Sequence, residues 1–178
     1  MYSAIIPPSD AQLSPPRGFR GARGVSVAQI VTPDEAPWRG RKAPGSTLSQ
    51  KAGKLYEKKV LARLKDWTDG TIYPLPWIKF RLGNSDRYCQ PDALIHVGNT
   101  IVIVEVKLTH TLDAYWQLRR LYYPVVSTLF PGTTIRLCEV AKNMRPEVKY
   151  LEPIALTRDL QFFAEQDDAN IGVIPWKS

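Results

Sequence analysis

Asp92, Glu105 and Lys107 are the residues of this chain whose types and spacing could do chemistry. Between the two acids stands Gly98-Asn99, flanked by alternating apolar residues, which is a hairpin signal. A two-residue turn there pairs residues whose numbers sum to 197, so Val97 faces Thr100 and Asp92 faces Glu105. Directly opposed residues share one side of the sheet, with Cβ atoms about 4.5–5.5 Å apart. A strand period of two adds Lys107 to that side and sends Ala93, Ile95, Val97, Val102, Val104 and Val106 to the other. Two facing acids raise each other's pKa unless a cation lies between them, and a divalent metal resolves the conflict. Magnesium accepts one or two carboxylates together with waters and a phosphate oxygen. Asp92 and Glu105 can supply the carboxylates, and the backbone carbonyl of Val106 a further ligand. A metal held there polarises a phosphate and acidifies the attacking water, while Lys107 orients that water and offsets developing charge. Glu105-Val106-Lys107 alone reads first as an ordinary same-face ion pair on an exposed sheet. Pro91-Asp92, with its acid thirteen residues before Glu105 and in the right register, shifts the balance toward a site.

The elements that must hold these residues read as a mixed α/β domain. Ser46 or Thr47 can cap a helix running to about Trp67, with Leu48, Ala52, Leu55, Val60, Leu61 and Leu64 at helical spacing. Pro74 and Pro76 mark an extended stretch, followed by a strand over 77–82 that ends at Gly83-Asn84. The hairpin strands span 92–97 and 100–107. A helix over 112–129 is disturbed at Pro124, and a strand follows over 133–140. A helix over 158–166 and a short strand over 172–175 close the chain. The expected sheet has four or five strands, mixed in direction, with helices on its flanks.

Residues 1–45 differ in kind. Pro7-Pro8, Pro15-Pro16 and the RGFRGARG run from Arg17 to Gly24 describe an extended arm preceding a domain over 46–178. Only 25–31, reading VSVAQIV, suits a short helix or strand. The arm holds six Lys and Arg against three acids, so it could be a solvated linker, follow phosphates, or dock on another copy or an assembly partner. The whole chain of 178 residues has a formal charge of +7, which favours a polyanionic partner. Two cysteines, Cys89 and Cys138, make neither a disulfide framework nor a zinc or iron–sulfur motif. There is no run of eighteen apolar residues and no signal-peptide pattern, so no membrane partner and a cytoplasmic setting, bacterial or phage-encoded, are expected.

Pro91-Asp92 followed by Glu105-Val106-Lys107 resembles the bipartite signature of the PD-(D/E)XK nuclease superfamily. Gly53-Lys54-Leu55-Tyr56-Glu57 is similar to the upstream G-x-x-x-E helix of its RecB-like and phage-exonuclease branch, and Gln117 to that branch's glutamine. The branch places Tyr four residues after the glutamine; Leu121 stands there, with Tyr122 and Tyr123 following. The resemblance covers about 47–140 and implies a restriction-endonuclease-like core with Glu57 joining the metal site. It also implies magnesium, or manganese in its place, and DNA phosphodiesters as substrate. Gly53 shares a helix face with Glu57, and its missing side chain could let the sheet approach. The other reading is a nuclease-like domain serving as a structural or DNA-binding part of a larger assembly, phage particles included.

Several other residues invite attention. His96 shares the face of the acids by hairpin parity, and His110 lies just past Lys107, yet neither has a partner at metal-ligand spacing. Arg119 and Arg120, with Lys51, Lys54, Lys58 and Lys59, could meet phosphates or water alike. Trp77, Tyr115, Trp116, Tyr122 and Tyr123 suit a core better than base stacking.

Overall fold

A computed structural model describes residues 19–36, 47–145 and 171–177. A five-stranded sheet runs in the order β2 (Thr71–Pro74), β5 (Ala93–Val97), β6 (Thr100–Thr109), β7 (Thr134–Asn143), β8 (Ile171–Pro175). β2, β5 and β6 are antiparallel neighbours, whereas β6, β7 and β8 run parallel, so the sheet is mixed as expected. A second, three-stranded antiparallel sheet has the order β1 (Val25–Val31), β3 (Trp77–Leu82), β4 (Ser85–Cys89). β4 is an addition to the sequence reading. Gly83-Asn84 does not merely end β3; it turns the chain back so that Leu82 pairs with Ser85. Gly83 and Gly98 have φ of 58° and 55°, a Gly-first turn geometry shared by both Gly-Asn hairpins. The polar run Ser85 to Arg87 hid the strand from a hydrophobicity pattern.

Helix α1 (Leu48–Arg63) starts at Thr47, whose hydroxyl accepts the Gln50 N–H at 3.2 Å while the Gln50 side chain accepts the Thr47 N–H. Its inner residues Tyr56 and Val60, with Leu64 just beyond, pack on one face of the large sheet against Ala93, Ile95, Val97, Val102, Val104 and Val106. Trp67 and Trp176 complete that cluster, their rings 5.4 Å apart and edge-on. The other face carries Leu94, Ile101, Ile103, Ile135 and Leu137 under the small sheet and the second helical region. Each such side chain contributes about 1.5–3 kcal/mol by leaving water. Both faces of the central hairpin are therefore apolar for most of its length, and the acids occupy only its far end.

The second helical region is not one α-helix. α2 (Leu112–Trp116) passes into a π-helical segment, Gln117–Tyr122, and then into α3 (Tyr123–Leu129). The disturbance expected at Pro124 thus lies in the turn before it. Pro124 has no N–H to offer the carbonyl of Arg120 four residues back. That carbonyl instead accepts the N–H of Ala22, at 2.8 Å, from the chain preceding β1. The 25–31 segment is a strand, bonded along its length to β3. The C-terminal strand appears as β8, and the helix expected over 158–166 lies outside the described residues.

Candidate metal and phosphate site

The hairpin register is the one read from the sequence: Val97 pairs with Thr100, Ile95 with Val102 and Ala93 with Val104. In a two-residue hairpin the pairs alternate between hydrogen-bonded and non-bonded, starting from a bonded 97/100 pair. Position 91 is thus the next bonded position after 93, facing Val106. Pro91 occupies it and has no N–H for the Val106 carbonyl. The ladder stops there for a covalent reason. The Val106 N–H finds a different partner, the Asp92 carboxylate, with Oδ2 at 2.6 Å. Asp92 is therefore pinned across the strand gap, directly beside the segment that carries Glu105 and Lys107.

Its backbone is pinned as well. The Asp92 carbonyl accepts the Leu75 N–H at 2.9 Å, and Gln90 Nε2 donates to the Leu75 carbonyl at 2.9 Å. Leu75, between Pro74 and Pro76, has φ of 45°, the one positive value at a non-glycine among the described residues. A left-handed leucine costs roughly 1–2 kcal/mol and persists because both flanking bonds hold it. Sequence offered no sign of this strain beyond the Pro-Leu-Pro run.

Glu105 is almost wholly buried, 5% exposed at its side chain, and its Oε1 lies 2.6 Å from Lys107 Nζ, itself 26% exposed. Glu105 Oε2 is buried without a hydrogen-bond partner. Burial, then the charge of Glu105, pushes the Asp92 carboxyl up to about 8, against the opposing pull of the Val106 N–H. Burial likewise raises Glu105, offset in part by Lys107. Burial works to lower the Lys107 ammonium, but Glu105 above all, then Asp92 and Glu139, outweigh it and raise it. The three groups share too little positive charge for the number of carboxylates facing them.

Glu57 stands half-buried on α1, and its charge acts on both Asp92 and Glu105, so the structure brings it into the electrostatic neighbourhood of the pair. Gly53 does not serve that approach. A Cβ built on it meets nothing within 4 Å, because this part of α1 faces open space rather than the sheet. Gln117 opens the π segment, with Oε1 buried and unpartnered. His96 lies at the turn end, paired with Ile101 and four residues along β5 from Asp92, so it stands apart. His110 is drawn into a different contact, its Nδ1 2.8 Å from Glu139 Oε2 with both side chains 0% exposed.

One residue escaped sequence reasoning, and another was named there without a role in the site. Glu139 pairs in register with Glu105 across β6 and β7, placing a third acid on the same side of the sheet. Its one signal was an acid, three residues after Arg136, inside a mostly apolar strand run. Tyr122 is the other. In the π segment hydrogen bonds run from i to i+5, as from the Tyr123 N–H to the Leu118 carbonyl. Tyr122, five residues after Gln117, accordingly stands where the fourth residue would in an α-helix. It is buried and donates its hydroxyl to the Gln90 carbonyl at 3.2 Å. Burial and then the Glu105 charge hold its phenol well above the usual range. Tyr123 is 38% exposed and turned outward beneath Arg119, whose guanidinium lies 5.7 Å from its ring centre.

Among the described residues no three His, Cys, Asp or Glu side chains already converge as a metal-binding group. The donor set that does fit a hard cation is mixed: Asp92 and Glu105 carboxylates, a Val106 carbonyl deprived of its ladder donor, and Glu57 nearby. Among the same residues no helix is long and apolar enough to cross a membrane.

No family model matches the chain, and no curated protein does. Among solved structures it aligns with the crystal structure of protein VC1899 from Vibrio cholerae, at 16% identity and a TM-score of 0.39. The alignment covers 69% of this chain and 29% of that one, a likeness too loose to carry either fold or function.

Proposed function

We propose that this chain is a divalent-cation-dependent nuclease of the PD-(D/E)XK type that hydrolyses DNA phosphodiester bonds. One observation carries the reading: Asp92 and Glu105 meet across the Pro91-terminated end of a hairpin, with Lys107 Nζ 2.6 Å from Glu105. Buried acids crowded in this way, one of them raised to about 8, favour capture of a cation over ionisation alone. Magnesium, or manganese in its place, would be held by Asp92, Glu105, the Val106 carbonyl and Glu57. When bound it supplies Lewis acidity toward a phosphate oxygen and a more acidic water. The chain's own residues do the rest. Lys107, partly open to solvent, holds a proton beside the entering water and offsets charge growing on phosphorus oxygens. Gln117 and Tyr122, on one face of the π turn, position the group between helix and hairpin. The mixed five-stranded sheet with α1 on one face and the π region on the other is compatible with a restriction-endonuclease-like core. A formal charge of +7 suits a polyanionic substrate.

Linear and circular DNA, single- and double-stranded, are incubated with the purified protein in magnesium, in manganese and in a chelator. Cleavage is expected only with metal, and Lys107→Ala is expected to lower its rate by about 10²–10³-fold while circular dichroism stays unchanged. A well-folded Lys107→Ala protein that cuts at the unsubstituted rate defeats the proposal, as does a wild-type protein inert on every substrate. The second outcome would leave a nuclease-like domain employed for binding or assembly.

A further inference from the structure

The chain before β1 was expected to behave as an arm, yet its described part is fastened to the π segment. The Ala22 N–H bonds the Arg120 carbonyl at 2.8 Å, and Ala22 itself is fully buried. Gly21 makes the approach possible: a Cβ there would stand 3.0 Å from the Arg120 carbonyl oxygen and 3.5 Å from the Arg120 Cβ. Phe19 anchors the start of the strap, its ring 6.2 Å from that of Trp116. Two contacts thus hold residues 19–22 against 116–120, and the bare Gly21 leaves room for them.

The docking brings the segment that carries Arg20 and Arg23 against the one that carries Arg119 and Arg120. Arg20 and Arg23 flank the docked Ala22 and are exposed; Arg119 is exposed beside Tyr123, and Arg120 lies over the Trp116 ring at 5.7 Å. Among the described residues no carboxylate forms a salt bridge with Arg20, Arg23 or Arg119. Like charges such as Arg20, Arg23 and Arg119 on neighbouring segments repel one another, so a ligand that neutralises them is favoured. The same π segment carries Tyr122, on which the charges of Glu105 and Asp92 act. The two arginines and Tyr122 thus share one short helical segment.

We infer that the docked strap at residues 19–24 and the π segment together form a phosphate-tracking ridge that binds the backbone of a nucleic-acid strand beside the acidic site. Guanidiniums suit this because each presents a rigid fork of donors to phosphate oxygens and stays charged at any working pH. The contacts carry no base readout; they set the position of the strand. The choice of nucleic acid as the polyanion rests on the nuclease reading, but the ridge is tested by binding, in chelator, where no cleavage occurs.

Binding of a fluorescent DNA oligonucleotide is measured from low to moderate salt for wild type, for Arg20→Ala/Arg23→Ala and for Ala22→Pro. The double variant should bind about tenfold more weakly, with the slope of log affinity against log salt shallower by about 1.4–1.8. Ala22→Pro removes the strap's N–H without altering charge, and it should lose affinity and slope to a similar degree. Gly21→Val, which crowds the Arg120 carbonyl, provides a second charge-neutral route if Ala22→Pro does not fold. Wild-type binding by the charge-neutral variants alongside loss in the double variant overturns the docked ridge in favour of a loose basic tail. Unchanged binding by the double variant overturns it outright. Cleavage lost in Lys107→Ala with strap effects on binding absent would leave the nuclease reading standing and remove the ridge alone.

Discussion

Two buried carboxylates sit side by side in register on β6 and β7, each with a nitrogen partner, and they lead opposite lives. Glu105 contacts Lys107 at 2.6 Å in a pair that reaches solvent through the lysine. Glu139 contacts His110 at 2.8 Å in a pair wholly sealed from it. The open pair lies beside Asp92 and an interrupted ladder, where backbone and side-chain oxygens are left without donors. The sealed pair lies where the ladder continues: the His110 N–H bonds the Asn143 carbonyl at 2.8 Å, past the end of β6. Chemistry of the side chains alone does not distinguish them. Access to solvent does, and on that ground Glu105 is a candidate for reaction and Glu139 for structure.

The largest expected difference is a crossover between the two nitrogens. His110→Ala leaves Glu139 buried without that partner and should cost about 3 kcal/mol or more of stability, read as a shift in denaturant midpoint. Lys107→Ala, whose effect is on cleavage, should shift that midpoint far less because solvent reaches the site. Equal losses of stability for the two variants would erase the distinction.

A second, smaller effect concerns pH without divalent metal. Asp92 holds its proton in the folded state up to about 8, whereas an unfolded aspartate releases it near about 4. Between those values the folded state binds more protons, so stability is greatest at the acid end and falls as pH rises. Glu105, also raised, acts in the same direction; Lys107, raised as well, stays charged throughout the window. Thermal melts should therefore show a falling midpoint from pH 5 to pH 8, by about 2–4 °C for each kcal/mol lost. Asp92→Asn should flatten the fall, and saturating magnesium at pH 8 should raise the wild-type midpoint. A wild-type midpoint independent of pH in that range would show that the open pair is not strained by its charge.

The smallest effect tests the surroundings of Glu57. Gly53→Ala should raise stability by about 0.5–1 kcal/mol and leave cleavage unchanged, since the helix gains propensity and the new methyl meets nothing. A loss of cleavage would return Gly53 to the site.

The legible part of the site was the part that hydrogen-bonding arithmetic governs. The Gly98-Asn99 turn, the register of β5 on β6 and the shared side of Glu105 and Lys107 all come from a two-residue loop and a period of two. Thr47 and Gln50 likewise announce the start of α1 through their own capping chemistry. β4 was lost because Ser85 to Arg87 is polar on a strand that lies at the edge of its sheet among the described residues, and a hydrophobic pattern does not mark such a strand. The π segment was lost because local propensity favours an α-helix at Gln117 to Tyr122; its register answers to Pro124 and to a carbonyl bonded from another part of the chain.

Local sequence therefore determined what adjacent residues can settle among themselves: the hairpin, its acid-bearing end, the stop imposed by Pro91 and the apolar character of both sheet faces. Tertiary structure alone decided the neighbours that arrive from afar. β7 comes beside β6 through a long crossover, and nothing between Lys107 and Glu139 states that Glu139 will align with Glu105. Ala22 reaches Arg120 across about a hundred residues, bonding a carbonyl to which Pro124, four residues on, has no N–H to offer. Short loops have few closures available, so sequence selects among them; long separations have many, and only the packing of the whole core selects one.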